Sequence, residues 1–139
     1  MLIVWNSAGA DIQELSRVAE TVLKSGCVYV CAFGEGCERL HDIFDETIVA
    51  WEAIPEERPV DTGNWPERHI MTTWHEKEPP EDAIWFFLNN SFVEEELSEE
   101  CRAGVVISIG ALPEQVRTIR SALTQPDEFI EAWLEGNKN

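Results

Sequence analysis

Cys37 stands directly after the turn Gly34-Glu35-Gly36 and opens a stretch with helical periodicity, a position where the helix dipole favours a thiolate. His75, or His41 one turn further along, can serve as its base, with Glu35 or Glu76 orienting the imidazole. Cys37, His75, His41 and Glu35 therefore make up an enzyme reading: a small catalytic or ligand-sensing site. Glu38 works against it, because a neighbouring negative charge raises a thiol pKa. The plainer alternative places Cys37 in the core and His41 at its boundary.

The same residues can be tested for metal and nucleotide chemistry. Cys37 and His41 are four apart, so on a helix their side chains can converge on one ion. Two further ligands would have to come from His75, His69 or Cys31, and no C-x-x-C pair is present. The expectation is no metal. The loop Asn6-Ser7-Ala8-Gly9-Ala10 leads into a helix but is not G-x-G-x-x-G, and no phosphate-binding G-x-x-x-x-G-K-[ST] run occurs. Glu35 and Glu38 flank the other glycine turn and oppose a phosphate there. No cofactor is expected.

A different kind of function follows from charge. The chain carries 27 acidic against 10 basic side chains, a net charge of −17. Binding to nucleic acid requires basic patches that this composition does not provide, and anionic membrane surfaces are disfavoured for the same reason. Acidic side chains on solvated faces also serve solubility alone. The functional alternative is a basic protein partner, drawn in by electrostatic steering. Between Glu76 and Glu100 the acidic residues are opposed only by Lys77 and are interleaved with Trp85, Phe86 and Phe92. The carboxylates Glu94, Glu95, Glu96, Glu99 and Glu100, with Trp65 as an aromatic anchor, form the candidate binding surface. An inhibitor or immunity protein that occludes a toxin or nuclease fits this size and acidity. The aromatic residues have a plainer role as well, in the core.

Whichever reading holds, the positions of these residues depend on the elements that carry them. Leu2 to Trp5 reads as a buried strand. Asp11 caps a helix with Glu14 three residues on, and Ile12, Leu15, Val18, Ala19, Val22 and Leu23 share one face. Cys27 to Phe33 is apolar on both faces, as a central strand is. Cys37, Leu40, Phe44, Thr47, Ile48 and Trp51 stripe a second helix that Pro55 stops. Residues 55–68 hold three prolines and no periodicity, so they read as a long loop. His69 to Trp74 is the third and weakest strand. A buried helix follows Pro80, an acidic helix covers residues 91–104, and Gly104 to Ile109 is the fourth strand. Helices after Pro113 and Pro126 complete the order.

Alternation of this kind predicts one α/β domain over residues 1–139, a small three-layer sandwich of the Rossmann-like or flavodoxin-like type. Its four-stranded sheet is mostly parallel, with strand order 2-1-3-4. In such sheets ligands bind beyond the carboxyl ends of the strands, which here gather Asn6 to Gly9, Gly34 to Cys37, Thr73 to Glu76 and Gly110 to Leu112. Cys27 and Cys31, four residues apart on one strand, stand ~13 Å from each other and cannot pair. With no signal segment and no run near ~20 apolar residues, the expectation is a cytoplasmic protein with reduced thiols.

Overall fold

The computed structural model describes residues 1–54, 56, 69–99, 101 and 103–137. It contains strands β1 (Leu2–Trp5), β2 (Tyr29–Phe33), β3 (Met71–His75) and β4 (Val106–Ile109). The helices are α1 (Ile12–Lys24), α2 (Cys37–Ala53), α3 (Pro80–Asn89), α4 (Pro113–Thr124) and α5 (Pro126–Gly136). All strand pairs are parallel, so the three-layer α/β sandwich is as the alternating pattern predicts.

The strand order is β3-β2-β1-β4, not 2-1-3-4. Each of the first two crossovers lands on the neighbouring position along the same direction, and the third returns to the far side of β1. Hydrophobic periodicity carries no information about which edge a crossover reaches. In consequence β2 lies between β1 and β3, and His75 pairs directly with Phe33 instead of sitting a strand away.

Local chemistry explains why the helices form. Asp11 accepts from the Glu14 N–H at 2.9 Å while Glu14 accepts from the Asp11 N–H at 3.2 Å, a reciprocal cap at the start of α1. Leu15, Ala19, Val22 and Leu23 of α1 then pack with Leu40, Phe44 and Ile48 of α2 over one face of the sheet. On the other face Ala83, Ile84 and Phe87 of α3 and Ile119 and Ala122 of α4 cover Leu2, Val4, Cys31 and Phe33. β2 is buried along its whole length, as its unbroken apolar run requires. β4, also apolar in sequence, is an edge strand with Ser108 exposed.

Among the described residues of 91–104 a single 3₁₀ turn, Glu95–Leu97, stands where an acidic helix was expected. The Ser91 hydroxyl, instead of capping a new helix, donates to the Phe87 carbonyl at the end of α3. A run of like charges with few apolar residues has too little to gain from burial to offset helix nucleation.

Candidate functional site

The carboxyl ends of β1, β2 and β3 meet in a tight junction of main chain. The Ser7 and Ala8 N–H groups donate to the Glu35 carbonyl at 2.9 and 3.1 Å. A Cβ on Gly34 would lie 2.5 Å from the Trp5 carbonyl oxygen, and one on Gly36 2.6 Å from the Ala8 nitrogen. Both glycines also have φ values in the left-handed half of the map, +122° and +80°. The Gly36 N–H, at the positive end of α2, donates to the Glu76 carboxylate at 2.6 Å. An anion position at this helix start is thus filled by the protein's own side chain.

Cys37 is fully buried in the α1–α2 face of the core. Burial pushes its thiol pKa up and the Glu76 carboxylate adds to this, while hydrogen bonds from the main chain at His75 and Gly34 pull the other way. The His75 imidazole lies on the opposite face of the sheet, tilted against Phe86 with ring centres 4.7 Å apart. Cys37 and His75 therefore meet through the His75 main chain and not through the ring. Glu35 is exposed and contributes its carbonyl to the junction.

His75 has other partners. Its Nδ1 lies 2.7 Å from Glu78 Oε2, and its Nε2 3.3 Å from the Thr73 hydroxyl. A ring that donates from Nδ1 to a carboxylate leaves Nε2 to accept, so the Thr73 hydroxyl donates. The Thr73 hydroxyl also contacts the Cys31 thiol, whose pKa is raised first by burial. Glu78, His75, Thr73 and Cys31 thus form a polar chain from the end of β3 into β2. Only 5% of the His75 side chain is exposed. Thr73 and Glu78 were not singled out from the sequence. The signals were there: Thr73 and His75 alternate onto one strand face, and Glu78 is three residues beyond.

His41 belongs to a second cluster, on the α2 side of β3. Its ring centre is 4.5 Å from that of Trp74, and Asp42 and Asp45 lie 3.3 and 3.6 Å from its nitrogens. The Thr72 hydroxyl donates to Asp45 at 2.5 Å. No group of three or more His, Cys, Asp or Glu among the described residues is arranged to hold a metal ion.

On the acidic segment, Phe92 is 76% exposed. Glu94, Glu95 and Glu99 are exposed around it in sequence, and Glu94 pairs with the exposed His69 at 2.8 Å. The Glu96 side chain, Glu100 and Trp65 lie outside the described residues, as does most of the predicted 55–68 loop. Trp85 and Phe86 are half-buried: Trp85 stacks on Trp133 at 4.2 Å, and Trp133 donates to Asp82 at 2.7 Å. Of the three interleaved aromatics, Phe92 alone presents its ring to solvent.

These thiol environments predict a pH response. For a thiol or phenol whose folded pKa is raised, the folding contribution is fully present below the unfolded value and is lost as pH climbs through the folded one. Cys31 and Cys37 start from an ordinary value of 9.0, and Tyr29, raised by burial and then by Cys31, from 10.0. Stability against urea is expected to hold between about pH 7 and 8 and to fall above about pH 9. A urea midpoint unchanged at about pH 10 would contradict the burial of these groups.

The fold and its strand-end junction define the class: a small, all-parallel α/β sandwich with two histidine-centred polar clusters on its β3 edge. The chain belongs to the family described as Domain of unknown function (DUF7684), whose model matches residues 1–126, from β1 through α4. No curated protein and no solved structure matches it. No helix among the described residues is long and apolar enough to cross a membrane.

Proposed function

We propose that this protein is a cytoplasmic binding module that recognises a basic protein surface, in the manner of an inhibitor or immunity protein. The observation that carries this reading is the exposed Phe92 ring, followed in sequence by the exposed carboxylates of Glu94, Glu95 and Glu99. An aromatic anchor inside a charged rim is the usual composition of a binding hot spot. The net charge of −17 adds long-range attraction for a basic partner. Function would then follow from occlusion: the acidic segment steers and pairs with Lys and Arg, and the aromatic ring is buried on contact. Tagged protein should capture one basic protein stoichiometrically from its native lysate at low salt and lose it at moderate salt, because exposed charges are screened. A partner held equally at both salts would contradict the steering mechanism.

A second reading, a small enzyme or ligand sensor at the strand ends, is favoured by the Glu78–His75–Thr73 alignment. In that reading the polar chain would serve the thiol it reaches, Cys31, whereas Cys37, across the sheet from the His75 ring, would have to react without that base. Burial and a raised pKa both slow a thiol. In the folded protein, Cys27 and Cys101, both half-exposed, are expected to alkylate at least tenfold faster than Cys31 and Cys37. Peptide mapping after a timed alkylation measures this. A Cys37 that outpaces a model thiol would restore the enzyme reading.

A further inference from the structure

β4 is an outer strand of the sheet, and among the described residues no strand pairs along its far side. The Leu2 N–H donates to the Val105 carbonyl at 2.9 Å, which sets the parity of the ladder. Val105, Ile107 and Ile109 therefore turn their main-chain groups to β1, and Val106 and Ser108 turn theirs outward. Such an edge is a template for another strand, and proteins usually blunt it with charge, proline or a bulge. β4 has none of these: its sequence is Val-Ile-Ser-Ile, in unbroken register with β1. Val105 and Leu112, on either side of it in the chain, are exposed. Leu123 of α4, also exposed, lines a groove of about 270 Å³ with Val106, Ser108, Val116 and Arg120. Charge falls away here as well. Residues 103–125 hold Glu114 against Arg117 and Arg120, a net +1 in a chain of net −17.

We propose that this edge joins two copies of the chain, with β4 of one antiparallel to β4 of the other about a two-fold axis at Ile107. Val106 of each copy would then stand opposite Ser108 of the other and exchange both main-chain hydrogen bonds, about four in all. The two four-stranded sheets become one. A two-fold contact must be self-complementary, and a strand laid antiparallel to its own copy meets that condition. The α4 helices beside the seam would also run antiparallel. Glu114, near the start of one, would come towards Arg117 and Arg120 of the other.

Charge selects this occupant. A basic protein finds few carboxylates along this edge and is drawn to other parts of the molecule. Two copies of an acidic chain, by contrast, approach each other most easily where carboxylates are sparse. The remaining carboxylates still repel at longer range, and salt screens that repulsion. Added salt should therefore tighten this contact, the opposite of its effect on a basic partner. A strand of four residues with one helix flank is a small interface, so a Kd of about 1–100 µM is expected.

Sedimentation of the full chain tests this, from well below to well above that concentration range and at low and moderate salt. The expected mass rises from one chain to two, at a lower concentration when salt is added. Ser108→Pro removes an N–H that faces the edge and leaves the bonds to β1 in place. Leu123→Lys sets a further cation on the arginine-bearing flank. Each should weaken the dimer by about tenfold or more. Amide exchange reads the unaltered protein directly. The Val106 and Ser108 amides should be protected in the dimer and exchange freely on dilution, while Ile107, turned to β1, is protected in both. Should Ser108→Pro fail to fold, Leu123→Lys and amide exchange decide. A single-chain mass at every concentration, or an assembly larger than two, would overturn the proposal. So would a dimer loosened by salt, unaffected by both variants, or freely exchanging at Val106 and Ser108.

Discussion

Replacing Gly34 with alanine is expected to destabilise the protein by about 3–5 kcal/mol, because two independent penalties coincide at one position. At φ +122° the main chain of Gly34 occupies a region that side chains avoid, and an added Cβ would stand 2.5 Å from the Trp5 carbonyl oxygen. The obstacle is main chain at the end of β1, which cannot rotate aside as a long side chain would. On a domain of this size the loss corresponds to a fall in Tm of about 10–20 °C. Gly36→Ala should behave similarly, since its φ is +80° and its Cβ would meet the Ala8 nitrogen at 2.6 Å. Gly9 is the control: nothing lies within 4 Å of its added Cβ. Gly9→Ala should be neutral, or stabilising by about 0.4–1 kcal/mol through the unfolded chain. Thermal unfolding of the three variants decides the matter. Equal Tm values for Gly34→Ala and Gly9→Ala would mean that the strand-end junction is not formed as described.

Removing the Phe92 ring is expected to weaken partner binding by about 30-fold or more, at almost no cost in stability. A hot-spot aromatic contributes about 2 kcal/mol or more when truncated. Its removal from a surface where it is 76% exposed changes folding by only about 0.5 kcal/mol either way. Neutralising Glu94, Glu95 and Glu99 together to glutamine should act differently. Association should slow and its salt dependence flatten, because exposed charges govern encounter more than dissociation. Kinetics of the captured basic partner at two salt concentrations separate the two effects, with circular dichroism confirming the fold. Binding unchanged in Phe92→Ala would remove the anchor from the proposal. A triple variant with the original salt dependence would place the steering charge elsewhere on the molecule.

Phe92 and Cys37 were legible in opposite ways. Phe92 and its carboxylates were legible in the sequence as an acidic, aromatic-bearing run, but whether they formed a helix was not. Their charge pattern satisfies a helix start at Ser91, yet the Ser91 hydroxyl bonds back to the Phe87 carbonyl and leaves one short turn. Cys37 shows the converse. Its place at a helix start was legible, and so was the stripe that turns it into the core. That its thiol and the His75 ring occupy opposite faces depended on β3 ending one residue later than its apolar pattern suggested. The later end makes His75 the last residue of the strand instead of a loop residue, and a strand's alternation then assigns its face.

What the sequence by itself determined is what short-range physics controls. The capped helices, the buried central strand β2, the parallel α/β class and the excess of negative charge all follow from spacing and composition. Tertiary structure alone decided the order β3-β2-β1-β4, the Glu76 carboxylate at the start of α2, and the meeting of Thr73 on β3 with Cys31 on β2. Local periodicity sets which side of an element is apolar. Strand order and side-chain meetings between elements depend on which crossover edge gives the best burial for the whole chain, a comparison that no local window contains.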